Sequence, residues 1–215
     1  MDVLLDNLDL YGPGFLTTIE LFALSAIGAL ILGTFLAMLR VSPVPVFRIV
    51  ATTYVTLFRN TPLTLIFFFF AFAFQFLEIV QISFFTAAVV ALSLYTAAFI
   101  CEVVRSGINT VPVGQAEAGR ALGLTFGQIL GNVVLPQATR SVVPPMVSTL
   151  IALLKNTTIA AGFSVVEAGA IQAYLSERGY SVLIGLLWVA LFFVILVTPL
   201  TLLQRSLEKR WSVAR

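Results

Sequence analysis

Lys155, Asn156, Thr157 and Thr158 form a polar run inside an otherwise apolar stretch, 142–165. One ammonium, one amide and two hydroxyls at consecutive positions can hold a carboxylate by charge and hydrogen bonds, with no covalent step. Lys155 lies about 20 Å along a helix from Val142, too deep for its ammonium to reach water easily, and an ionisable group at such depth is by default a functional candidate. Two readings stand side by side here: binding of a solute carboxylate, with a lysine suited to an acidic solute, and interhelical hydrogen bonding, which explains the Asn and Thr residues equally well. Arg59, with Thr61 and Pro62 after it, is a second candidate. Proline removes a backbone hydrogen bond, which is tolerated at membrane depth where polar groups face a cavity, although a positive anchor displaced by helix tilt explains Arg59 as well.

Covalent and metal chemistry are poorly served by this chain. It has no histidine and one cysteine, Cys101, so the usual general base, thiolate metal sites and Ser-His or Cys-His nucleophiles are missing. No catalytic residue and no metal site are expected. The Gly-x-x-x-x-Gly-Lys-Ser/Thr loop that cradles nucleotide phosphates is absent too.

The elements that must position these side chains are set by the membrane. Hydrophobic residues make up 60% of the 215-residue chain and charged residues 10%, against roughly 25% charged in a soluble domain, and the mean hydropathy is +1.05. Five apolar blocks, 15–39, 49–76, 84–104, 142–165 and 182–203, are each long enough for a spanning helix of about 20 residues. An all-α integral membrane protein with about five transmembrane helices follows, as one domain over residues 1–215. The acidic N-terminus, with Asp2, Asp6 and Asp9 and no basic residue in 1–9, is unlike a signal peptide, so the first block is expected to be retained.

Lysine and arginine set the orientation. Arg40, Arg48, Arg59, Arg105, Arg120, Arg140, Arg205, Lys209, Arg210 and Arg215 fall toward one side, and the other holds the acidic N-terminus, Glu78, Glu167 and one basic residue, Arg178. The positive-inside rule then puts the N-terminus outside and the C-terminus in the cytoplasm, with the 107–139 loop cytoplasmic. Within that loop 115–122 reads as a short helix with Glu117 in its first turn and Gly123 ending it, and 126–134 as a second that Pro136 stops. Neither is long enough to be stable alone, so both must pack on something. The stretch 115–123 lacks the basic cluster and aromatics of a membrane-surface helix, which favours a protein partner.

Glu117-Ala118-Gly119, Gly123, Val133 and Leu135-Pro136 resemble the Glu-Ala-Ala, Gly, Ile-x-Leu-Pro signature of the membrane-spanning subunits of ABC importers, spacing intact. Gly119 stands where Ala is usual and Val133 where Ile is usual. Arg59-Asn60-Thr61-Pro62-Leu63, Arg105-Ser106-Gly107-Ile108, Gly114-Gln115-Ala116, Leu135-Pro136-Gln137-Ala138 and Leu154-Lys155-Asn156-Thr157-Thr158 extend the likeness to the polar amino-acid uptake branch (histidine, glutamine, glutamate). Arg40-Val41-Ser42-Pro43 and Lys155-Asn156-Thr157-Thr158-Ile159-Ala160 are similar to glutamate-type subunits.

This resemblance implies a type I importer permease in a bacterial cytoplasmic membrane, with a coupling-helix loop at about 107–139. It implies a permease that is itself no enzyme: a separate cytoplasmic ATPase binds ATP and Mg, an external binding protein delivers a polar amino acid, and a second permease subunit, a homologue rather than an identical copy, completes the pathway. Glu117, Ala118, Gly119, Gly123 and Pro136 are then the ATPase-coupling residues. Lys155, Asn156, Thr157, Thr158, Arg59 and Thr61 are the pathway candidates. An ion-coupled secondary carrier, which would carry an inverted repeat and an acidic coupling residue, and a non-transporting scaffold are the alternative classes.

Overall fold

The computed structural model describes residues 2–77 and 81–211; Glu78, of the connection between the second and third blocks, and Arg215 lie outside them. All regular structure among the described residues is helical. In chain order the main helices are α1 (Leu8–Val41), α2 (Pro45–Asn60), α3 (Leu63–Ala73), α4 (Phe84–Asn109), α5 (Val113–Ala121), α6 (Phe126–Phe163), α7 (Ile171–Glu177) and α8 (Val182–Trp211). Of these, α1, α4, α6 and α8 are each long and apolar enough to cross a bilayer.

The second apolar block is not one straight crossing. It breaks at Thr61 and Pro62, and α2 and α3 meet at 102°, so the chain has five spans only if this bent pair counts as one. The cause is local: a residue before proline is forced out of the α region, and Thr61 is extended at φ −96°, ψ 130°. Thr61 Oγ1 donates to Leu57 O at 2.8 Å, occupying a carbonyl at the frayed end of α2.

A second difference concerns Pro136, expected to stop a short helix. The helix runs through it from Phe126 to Phe163. One wide turn, Leu130–Val134, closes just before the proline, with Leu135 N–H reaching back to Leu130 O. Such an insertion re-pairs backbone that proline would leave without a donor.

The core is the α1–α4 pair, packed through small side chains. Ala29, Gly33 and Ala37 of α1 and Ala91, Ala97 and Ala98 of α4 are all buried. A Cβ added at Gly33 would lie 2.7 Å from Ile100 and 2.8 Å from Ala97 O, so only glycine lets these backbones approach so closely. Lipid tails are as apolar as leucine, so close van der Waals fit rather than escape from water drives this packing. Ser93 Oγ and Ser25 O add a cross-helix bond at 3.4 Å. Toward the α3 side, Phe67 is buried and stacks on Phe163 at 5.0 Å, whereas Phe68 and Phe69 of the same run are exposed.

At the acidic end the N-terminal segment is tied to the last connection. Arg178 donates to Asp9 Oδ2 at 2.6 Å and to Asn7 Oδ1 at 2.8 Å, and Tyr180 donates to Asp6 at 3.3 Å. Glu167, which sequence alone places in solvent or against a partner, is fully buried instead. It caps the short turn Ala168–Ala170, accepting from Gly169 N–H at 2.8 Å and from Thr18 Oγ1 at 3.1 Å. Burial pushes its carboxyl above the ordinary carboxylate value, partly offset by those donors. The folded chain thus holds this proton more tightly than the unfolded chain, and stability falls as pH rises from the ordinary value through the folded one. Glu167→Gln should remove that slope and keep an acceptor for Gly169, whereas Glu167→Ala should cost ~1–3 kcal/mol by orphaning buried donors. Thermal unfolding in detergent across pH tests this, and a Gln variant no more stable at neutral pH than the Ala variant would contradict it.

Candidate translocation and coupling site

Three features converge on the basic end of the bundle and on the α4–α6 seam. The first is α5, the short helix between α4 and α6. It starts two residues earlier than expected, at Val113 behind the extended Pro112, so Glu117 sits in its middle rather than in its first turn. Glu117 and Ala118 are exposed, as are Val113, Leu122 and the nearby Phe126, and together they form a mixed acidic and apolar surface. The helix ends at Gly123, whose φ of +80° only glycine adopts without strain. Leu124 N–H returns to Gly119 O at 3.1 Å and Gly123 N–H to Arg120 O at 2.9 Å, the paired bonds of a Schellman ending.

Two contacts seat α5 on the membrane helix. Gly119 is buried against Ile129, which a Cβ would approach to 3.1 Å, so the small residue is set by close packing. Gln137, one residue after Pro136, donates through Nε2 to Gln115 of α5 and to Val133 O at 2.8 Å. Thr125 and Gln128 form a reciprocal capping box that starts α6 between these contacts. These contacts join α5 to the wide turn before Pro136.

The second feature is an ion cluster centred on Glu102 of α4. The Glu102–Arg105 pair at spacing i,i+3 is legible in the sequence and is present at 3.0 Å. Sequence reasoning missed the others: Arg40, at the end of α1, pairs with Glu102 Oε1, and Arg59, at the end of α2, stands 3.8 Å from Oε2. Arg40 follows the first block and Arg59, already a candidate beside Thr61 and Pro62, lies inside the second; their place on the basic side was the signal available, and nothing in it pointed to Glu102. Arg59 also lies over the Phe99 ring, 5.4 Å from its centroid. A groove of about 330 Å³ opens here, lined by Arg59, Glu102, Arg105, Ser106, Thr110 and Ser141 among others.

The third feature is a groove of about 280 Å³ higher on the same α4–α6 seam, lined by Tyr95, Thr96, Phe99, Ser148, Thr149 and Asn156 among others. The polar run at 155–158 is split between faces. Asn156 lines this groove, while Lys155 and Thr158 line another, of about 460 Å³, against Phe193, Val197 and Thr198 of α8. Successive residues of a helix point about 100° apart, so four in a row cannot share one face. Thr157 is buried and donates to Leu154 O at 2.8 Å, and Thr158 donates to Lys155 O at 2.8 Å, so both hydroxyl protons serve backbone. Thr61 stands apart from all of these, in a groove between Leu57, Phe58 and Phe70.

A multi-span bundle interrupted by one seated, partner-facing helix, with polar grooves along one seam, defines a membrane permease subunit. The family model described as binding-protein-dependent transport system inner membrane component matches residues 29–213, and the chain belongs to that family. It is 41% identical to the glutamate transport system permease protein GluC of Corynebacterium efficiens, with 94% of each chain covered. It is 35% identical to the probable glutamine ABC transporter permease protein GlnM of Bacillus subtilis, over 98% of this chain and 97% of that one. Among solved structures it resembles an amino acid ABC transporter crystallised with histidines, at TM-score 0.90 and 25% identity over 96% of both chains. The fold is shared as well with the inward-facing methionine transporter MetNI, at TM-score 0.77 and 23% identity. The ion-coupled carrier and the scaffold give way to the importer permease.

If Gln137 seats α5 as described, Gln137→Ala should speed amide exchange across 113–121 about fivefold, the equivalent of ~1 kcal/mol for one lost hydrogen bond. Unchanged exchange measured by mass spectrometry would show that Gly119 packing alone holds the helix.

Proposed function

We propose that this chain is one of two membrane subunits of an ATP-driven importer for glutamate or a closely related polar amino acid. The observation that carries the reading is α5: a short helix, unable to stand alone, that is seated on α6 and turns Glu117 and apolar side chains outward. It fits a groove on a cytoplasmic ATPase, which binds ATP and Mg and whose closure is driven by ATP. Glu117 is the charged anchor, Ala118 and Gly119 permit close backbone approach, Gly123 ends the helix, and Pro136 with its wide turn receives the motion. Closure of the two ATPases draws the two α5 helices together and tilts the bundles between outward-open and inward-open states.

The orientation that fits is N-terminus outside and C-terminus in the cytoplasm of a bacterial plasma membrane, with an external binding protein at the end where Arg178 and Asp9 pair. A second permease subunit, homologous rather than identical, closes the pathway, because the grooves along α4–α6 and α6–α8 are open in one chain. Residues 1–215 act as one domain. The relatives named for glutamate and glutamine transport support the solute class. Asn156 and Arg59 line the α4–α6 side of the route and Lys155 is a cation on the α6–α8 side. Thr157, Thr158 and Thr61 support the backbone beside them.

Reconstitution with the ATPase, the second permease and the binding protein tests the reading, with glutamate-stimulated hydrolysis and concentrative uptake as the expected result. Glu117→Arg should leave the subunit inserted but uncouple hydrolysis from uptake, and normal uptake by that variant would refute the anchor. Lys155→Ala should lower glutamate uptake several-fold with assembly intact; loss of assembly instead would make Lys155 a packing residue.

A further inference from the structure

The two grooves on the α4–α6 seam approach each other at Phe99, Glu102 and Arg59. Tyr95, Ser148 and Asn156 lie on one side, and Ser106, Thr110 and Ser141 on the other. Phe99 borders the first groove, Arg59 and Glu102 border the second, and the Arg59 guanidinium resting over the Phe99 ring joins the two borders. A solute passing from one groove to the other would meet that contact.

The contact is built to part at Arg59. Glu102 is held by three arginines, but unequally: Arg40 pairs with Oε1, Arg105 lies 3.0 Å from Oε2, and Arg59 lies 3.8 Å from the same Oε2, beyond hydrogen-bond range. Removing Arg59 would leave Glu102 still neutralised by two cations, so the carboxylate is not stranded when Arg59 swings away. Arg59 is also the most exposed member, with 44% of its side chain accessible against 19% for both Glu102 and Arg40. It sits three residues before Pro62, in the last turn of α2 beside the 102° break, where no following helical turn holds the backbone. The cluster has three cations to one anion, and a guanidinium released from Glu102 is a ready bidentate partner for another carboxylate.

We propose that Arg59 is the movable gate between the two grooves, exchanging Glu102 for the carboxylate of the travelling solute. This rests on the amino-acid importer reading for the identity of the carboxylate, and on the geometry alone for the gate. Because every amino acid carries an α-carboxylate, the exchange serves passage of the class and does not choose among side chains. Arg40 and Arg105 hold Glu102 in place throughout and are positioning residues. Phe99 gives the displaced guanidinium a face to rest on.

The test uses the assembled transporter in sealed vesicles exposing the basic end. Ser148→Cys places a thiol in the far groove, and the native Cys101 is fully buried and does not compete. Added Arg59→Gln should raise the labelling rate of that thiol by a membrane-impermeant reagent about tenfold, and Arg59→Lys should restore most of the slow rate. A rate unchanged by Arg59→Gln overturns the gate. In the same vesicles Arg59→Gln should lower concentrative glutamate uptake about tenfold while the ATPase still responds to loaded binding protein. Loss of assembly and of hydrolysis in both Gln and Lys variants would reduce Arg59 to a structural tether and overturn the proposal. An Arg59→Gln defect that disappears when anionic phospholipid is replaced by zwitterionic lipid would assign the guanidinium to a lipid phosphate and overturn it too. If the unmodified transporter takes up no amino acid, the function reading and the carboxylate exchange fall together, and the labelling arm still decides the gate.

Discussion

Hydrocarbon offers backbone and side-chain polar groups no water, and at three departures from a straight helix among the described residues the polar groups are paired within the chain. The break at Thr61 and Pro62 has a threonine hydroxyl returned to Leu57 O. The wide turn before Pro136 re-pairs Leu135 N–H with Leu130 O. The turn at Ala168–Ala170 is capped by a buried glutamate that also receives Thr18. Each irregularity is local, named by its residues and nearly free of orphaned donors: among the described residues the one buried side-chain polar atom without a partner is Arg105 Nε, in the ion cluster. Irregular backbone and charge therefore gather in the same few places, and those are the places where a membrane bundle can move.

The rest of the bundle is held by fit. Alanine and glycine on α1 and α4 let the two backbones approach until one added Cβ at Gly33 would collide with Ile100, and bulky residues are pushed to the outer faces, as in the exposed Leu183, Leu187 and Val194 of α8. Such an interface resists sliding, because every small step brings a side chain against backbone. Rigid pairs joined by irregular turns move as bodies, so on the proposed coupling a pull at α5 would reach α6 as rotation about the turn before Pro136.

How far the sequence could be read follows the range of the interactions involved. The existence of the apolar spans and the stop at Gly123 were legible, and the break at Pro62 was one of two readings the proline allowed, whereas the helix ends were not: α1 begins at Leu8 and α6 at Phe126, well before the apolar blocks do, because polar turns continue a helix wherever they find packing. The angle of the break was not legible either, because it is set by what α3 packs on, namely Phe163 and the α4 face. Pro136 looked like a stop because the rule for proline concerns a regular helix, and a single wider turn evades it. Lys155 to Thr158 read as one cluster since they are contiguous, yet helical rotation sends Lys155 and Asn156 to different seams and backbone claims the two hydroxyls. The Glu102 cluster was half legible: Arg105 is three residues away, whereas Arg40 and Arg59 come from other helices and meet Glu102 only after the bundle has closed.

The charge distribution also bears on how motion at α5 reaches the seam. Gln115 and Gly119 fasten α5 to α6, and Thr110, at the end of α4, donates to Ser141 of α6 at 2.9 Å just beside the Glu102 groove. A rotation of α6 about the wide turn before Pro136 therefore carries Ser141 and Pro145, which line that groove, past α4, where Glu102 is anchored by Arg40 and Arg105. The anchored carboxylate and the moving wall cannot both stay in register with Arg59, and Arg59 is held most weakly of the three. On the proposed reading, mechanical work at the loop and electrostatic release at the seam would be joined by one helix, without any need for a chain of coupled residues running through the middle of the membrane.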